Sequence, residues 1–238
     1  MIALTIALGA GVATSMLSVM FNVGDKVNQE LKSYGANIVV RAQGAAVLSD
    51  LYSTGEAAES HTYLREDELG NIKTIFWTYN ILDFAPLLNV SATDASGAPV
   101  ATTGTWFSHH LELATGESID TGLDKLRGWW GVTGAWPADD DPSGAIVGAT
   151  YAAERGLDVG DSFTLTRAGT SAEFTVRGVV TTGDDADRGV YIQLPAAQEL
   201  IGREGVVSSV EVSALTTPDN DLARKAAKNP NSLSVSEK

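Results

Sequence analysis

The sequence predicts an α+β fold behind an apolar N-terminal helix, and three observations predict it. From Ile2 to Val23 no residue is charged. Beyond Gly35, β-like runs join through tight turns more often than through helices, which favours hairpins over βαβ crossovers. The few helical runs are short and end at glycines such as Gly156 and Gly202, which cap helices in the left-handed conformation.

The apolar run comes first. Twenty-two residues of helix rise roughly 33 Å, enough for a hydrocarbon core of about 30 Å. A cleaved leader would carry a basic flank, and no Lys or Arg precedes Lys26. Residues 1–23 therefore read as a transmembrane helix. Ala7, Gly11 and Ser15 fall four apart on one face, a spacing that lets two helices approach closely in lipid. Residues 24–35 keep a helical pattern, with Val27, Leu31 and Tyr34 on one side, and read as a stalk continuing the span.

The remaining elements follow in order. Asn37–Ala42 reads as a strand, residues 43–62 as a loop, Tyr63–Lys73 as a short helix and Thr74–Tyr79 as a strand. Pro86–Ala92 and Ala98–Trp106 read as a hairpin around the Asp94–Gly97 turn. Residues 107–143 read as irregular. Ala145–Ala149, Asp161–Ala168, Ala172–Gly183, Arg188–Leu194 and Val206–Leu215 read as strands. Thr150–Gly156, Pro195–Gly202 and Thr217–Asn229 read as helices, the second with proline in its first turn.

Composition excludes several functions. The 238 residues carry a formal charge of −14, which repels phosphate backbones, so no nucleic-acid partner is expected. There is no cysteine, hence no disulfide, thiolate metal site or thiol nucleophile. His109 and His110 are adjacent, and side chains at neighbouring positions point apart, which suits chelation poorly. Asp139–Asp141 and Asp184, Asp185 and Asp187 lack calcium-loop spacing and read as solvated turns. No Walker A, GxSxG or HExxH pattern is present, so no catalytic, cofactor or metal residue is assigned and the chain is not expected to be an enzyme. Of the five tryptophans, the adjacent pair Trp129 and Trp130 is hard to bury fully, which makes it a candidate contact surface.

AIVGATYAAERGLDVGDSFTL (Ala145–Leu165), FTVRGVV (Phe174–Val180) and VNQELKSYGANIVVRAQG (Val27–Gly44) resemble, in order and spacing, motifs of the MacB/FtsX-type permeases of ABC transporters. The resemblance implies an extracytoplasmic MacB-like core domain over residues 36–238, with a second subdomain inserted at about 63–135. It also implies a location in the cell membrane with the main domain outside the cytoplasm, an ATPase subunit, a second permease chain, an extracytoplasmic partner protein and contact with lipid. Further spans belong to that family's layout, so the chain is expected to be a fragment. IFWTYNILDFAP (Ile75–Pro86), GVTGAWP (Gly131–Pro137) and Val212–Ser234 are similar to a narrower subgroup often found beside iron-uptake components. The function so implied is mechanical, with Leu31 and Tyr34 coupling the helix to the first strand. A membrane-anchored extracytoplasmic binding module is the alternative.

Overall fold

The computed structural model describes residues 35–42 and 63–215. The predicted span, the stalk with Leu31 and Tyr34, and the helix expected at 217–229 lie outside the described residues, among which no helix is long and apolar enough to cross a membrane. The unit from Ala36 onward is described below.

Its strands are β1 (Ile38–Arg41), β2 (Leu64–Arg65), β3 (Ile81–Asp94), β4 (Pro99–Thr105), β5 (His109–Glu112), β6 (Ser118–Thr121), β7 (Gly131–Gly134), β8 (Gly144–Gly148), β9 (Ser162–Arg167), β10 (Thr170–Thr181), β11 (Val190–Gln193), β12 (Val206–Val207) and β13 (Ser209–Ala214). Three short helices join them: α1 (Leu123–Leu126), α2 (Ala149–Arg155) and α3 (Leu194–Ile201). Nine strands form one sheet in the order β1-β13-β3-β4-β11-β8-β10-β7, with β9 pairing both β10 and the far end of β3. That last pairing, Thr93 opposite Thr166, returns the ladder to β3. A ring of six strands results, β3-β4-β11-β8-β10-β9, and closure removes free edges from those strands. Among the described residues only the β10–β8 and β11–β4 pairs are parallel, in keeping with the hairpin-rich α+β reading.

The ring encloses one core. Leu88, Val90, Val147, Leu165, Phe174, Val176, Val190 and Ile192 pack within it, and α3 adds Leu194, Ala197 and Leu200. Gly104 on β4 lets α3 approach: a Cβ there would lie 2.2 Å from the Ala197 Cβ. The opposite face of the sheet carries a second cluster, with Ala85, Ile146 and Val180 under Phe107, Leu123, Leu126 and Trp130. Strand β10 serves both. A register shift between Val176 and Gly178 acts as a bulge, so Phe174 and Val176 face the first core whereas Val180 faces the second.

Three expectations about local elements are corrected, at residues 74–79, 107–143 and 63–73. Thr74–Tyr79 is not a strand: it is a chain of tight turns ending in a 3-10 turn at Thr78–Asn80. Its Ile, Phe, Trp and Tyr suit a strand, but Thr74 Oγ1 donates to the Asn71 carbonyl and Thr78 Oγ1 to that of Lys73, holding the turns closed. Strand β3 begins at Ile81 and runs through Pro86, which sits opposite Val210 without a ladder N–H to donate. Residues 107–143 are ordered: β5 and β6 form a hairpin, followed by α1 and β7. Four-residue strands such as HHLE and SIDT are too short to show a period. Residues 63–73 form the short strand β2 and a 3-10 segment at Glu66–Lys73. The segment at about 63–135, expected as an inserted second subdomain, supplies β3 and β4 to the main sheet and carries the β5–β6 hairpin outside it.

Candidate functional site

The chain enters this unit at Ala36, which packs against the second core, and the next residue forms a clamp. The Asn37 side-chain amide donates to the Ala214 carbonyl at 2.7 Å, and the Ala214 N–H donates to Asn37 Oδ1 at 2.9 Å. The Asn37 N–H donates to the Val212 carbonyl at 3.1 Å. Strand β1 then pairs β13 from Ile38–Val212 to Arg41–Ser209. Ile38, Val39 and Val40 remain exposed, because β1 is the sheet's outer strand and nothing among the described residues covers it.

β13 carries the connection inward. Glu211 stands opposite Val39 on one side and Ala85 on the other. Its carboxylate takes a 2.6 Å ion pair from Arg127, both side chains being mostly buried. Arg127 in turn lies over the Trp130 ring, with 5.7 Å from Cζ to the ring centroid. Trp130 stacks on Trp136 and meets Tyr191 edge-on at 5.0 Å. Burial pushes the Tyr191 hydroxyl up to about 12. Trp130 is 9 % exposed and belongs to the second core, whereas Trp129 is 42 % exposed. The adjacent tryptophans thus divide, one inward and one outward.

Among the described residues, β1 is therefore joined through Glu211 and Arg127 to the Trp130 cluster. Asn37, Glu211 and Arg127 are the residues that sequence reasoning missed. No local signal marks them, since each acts through a partner 84 or more positions away.

Most members of the polar clusters have partners within the unit. The Nδ1 of His109 lies 2.9 Å from Asp139 Oδ2, and its ring stacks on Trp106. The Nδ1 of His110 lies 2.7 Å from Asp120 Oδ1, and this hydrogen bond holds the Asp120 carboxyl below its usual range. Asp141 pairs with Arg177 at 2.6 Å and is lowered by that contact. Asp184 caps a 3-10 turn, and Asp187 accepts from the backbone N–H groups of Thr182 and Gly183, which lower it. Among the described residues no group of three or more His, Asp or Glu could hold a metal ion. A surface depression of about 540 Å³ is lined by Arg65, Glu66, Asp67, Glu204, Gly205 and Val206, with Arg65 ion-paired to Asp67.

Comparison with solved structures finds the periplasmic region of MacB from Actinobacillus actinomycetemcomitans, 14 % identical at a TM-score of 0.49, covering 84 % of this chain and 85 % of that one. The extracellular domain of the noncanonic ABC-type transporter YknZ from Gram-positive bacteria is 14 % identical at a TM-score of 0.47, covering 79 % and 88 %. No curated protein matches the chain. The model of the MacB-like periplasmic core domain matches residues 1–229, nearly the whole sequence. The chain belongs to the MacB-like periplasmic core domain family.

Proposed function

We propose that this chain is the extracytoplasmic part of an ABC-transporter permease subunit that passes motion between a cytoplasmic ATPase and partners outside the cytoplasm. The family match over residues 1–229 carries this reading. The Asn37–Ala214 clamp supports the mechanical part of it, because a displacement delivered at Ala36 would load β13 and, through Glu211 and Arg127, the aromatic cluster around Trp130. The segment Ile2–Tyr34 is the lever in this account: a helix satisfies its backbone hydrogen bonds internally and so transmits displacement. The working unit is a dimer of permease chains with an ATP-binding cassette subunit and an extracytoplasmic protein, and it lies in the cell membrane. The chain's own role is not catalytic. An iron- or metal-linked cargo rests only on the narrower sequence resemblance. Titrating the full chain with ferric and ferrous iron tests direct binding by this domain, and the absence of a micromolar site would remove it.

The permease assignment is tested by isolating the tagged protein from native membranes. The expected result is resistance to alkaline carbonate and co-purification with an ATP-binding cassette subunit. Resistance to carbonate with no ATPase present would instead favour a membrane-anchored extracytoplasmic binding module, and extraction by carbonate would contradict both readings.

A further inference from the structure

The turns corrected above form an exposed apolar tip beside the point where the chain enters the unit. Residues 74–82, TIFWTYNIL, contain no charge in a chain of net charge −14. Ile75, Phe76 and Trp77 in the turns and Leu82 at the start of β3 are all exposed, and Tyr79 is 92 % exposed. Phe76 and Trp77 meet edge to face at 5.0 Å. The tip is fixed to the clamp: the Leu215 N–H donates to the Asn80 carbonyl at 2.7 Å, Ile81 sits opposite Ala214, and Ala214 is the residue that Asn37 grips. Leu215, also exposed, adds to the same end.

We propose that this tip, Ile75–Leu82, seats in the interfacial layer of the lipid bilayer. The proposal rests on the reading of Ile2–Val23 as a span. Twelve residues separate Val23 from Ala36, a distance on the order of 20 Å if helical and 45 Å if extended. On that reading, the length of the chain sets the farthest that the Ala36 end can lie from the membrane. Trp, Tyr and Phe are the side chains that favour the headgroup boundary, where an apolar ring and a polar edge are both satisfied. An acidic protein surface would be repelled by anionic headgroups, and this stretch has no charge to repel. Strand β3 sets the contrast. It runs from Ile81 beside the tip to the turn at Asp94–Gly97, roughly 40 Å away at strand rise, and Ala95 there is exposed.

The absence of cysteine makes the test clean. Full-length chains carrying Tyr79→Cys or Ala95→Cys are labelled with a nitroxide and reconstituted in phosphatidylcholine vesicles. Collision with oxygen, which concentrates in lipid, is compared with collision with a water-soluble nickel chelate. Oxygen dominance at position 79 with nickel dominance at position 95 is expected. Nickel dominance at both sites, in chains that still float with the vesicles, would overturn the seating and leave the span reading intact. Chains that fail to float would overturn both. A label at 79 shielded from both reagents would overturn lipid as the occupant and point to a second copy of the chain.

Discussion

Asn37 and Ala214, 177 positions apart, exchange two hydrogen bonds, so the first residues of the unit and the end of its penultimate-to-edge strand move together. The exchange replaces one rung of backbone pairing with a side chain, just before β1 begins. Replacing Asn37 by Ala should cost about 1 kcal/mol, the usual net worth of exposed hydrogen bonds. It should also raise hydrogen exchange at the Ala214 amide more than at Val210, deeper in the strand. Equal change at both would mean that the clamp has no local role.

Gly104 and Ala197 should behave as a coupled pair. Gly104→Ala places two methyl groups 2.2 Å apart, and overpacking of this kind costs about 1–3 kcal/mol. Ala197→Gly alone should destabilise by about 1 kcal/mol through helix propensity. Combined, the two changes should cost less than their sum, since the second removes the clash created by the first. Chemical denaturation of the four proteins measures the coupling, and strict additivity would contradict the close approach of α3 to β4.

Asp94 gives the unit an acid-sensitive corner. Its carboxylate accepts from Ser96 Oγ at 2.5 Å, from the N–H groups of Ser96 and Ala98, and from Arg155 Nε at 2.6 Å. The Ser96 hydroxyl and then Arg155 hold its pKa down to about 2. A depressed carboxylate stabilises the fold above its unfolded pKa of about 4, and that contribution disappears as pH falls through about 2. Asp94→Ala should therefore cost about 2 kcal/mol near neutrality and progressively less between pH 4 and 2. Thermal melts of both proteins across that window read the convergence.

Trp129 and Trp130 should separate by energy as they do by exposure. Trp130→Ala empties part of the second core and should cost about 3–5 kcal/mol, whereas Trp129→Ala should stay within about 0.5 kcal/mol. A binding partner lost only with Trp129→Ala would identify the outward ring as a contact.

Much of this architecture is visible in the chain because local signals and tertiary structure agree. Gly156 and Gly202 end α2 and α3 in the left-handed conformation, as their positions predict. The Asp94–Gly97 turn joins β3 to β4 as the sequence indicates. Where the signals conflict, the sequence misleads. Ile75–Tyr79 has strand composition, but threonine hydroxyls at positions 74 and 78 bond back to the preceding turn. The β5–β6 hairpin has little apolar content, and a four-residue ladder holds it. Ring closure through Thr93 and Thr166 leaves no local trace, since it depends on a 73-residue return. Of the coupling candidates, Leu31 and Tyr34 fall outside the described residues. The route through Asn37, Glu211 and Arg127 depends on pairings that no short window contains.

The proposed coupling is tested most directly by the separation of nitroxides at Ala95→Cys on the two permease chains of an assembled transporter, read by pulsed electron resonance. Trapping the ATPase with nucleotide should shift the distance distribution, and Asn37→Ala should diminish the shift without abolishing ATP hydrolysis. Identical distributions with and without nucleotide, in a complex that hydrolyses ATP, would contradict the coupling.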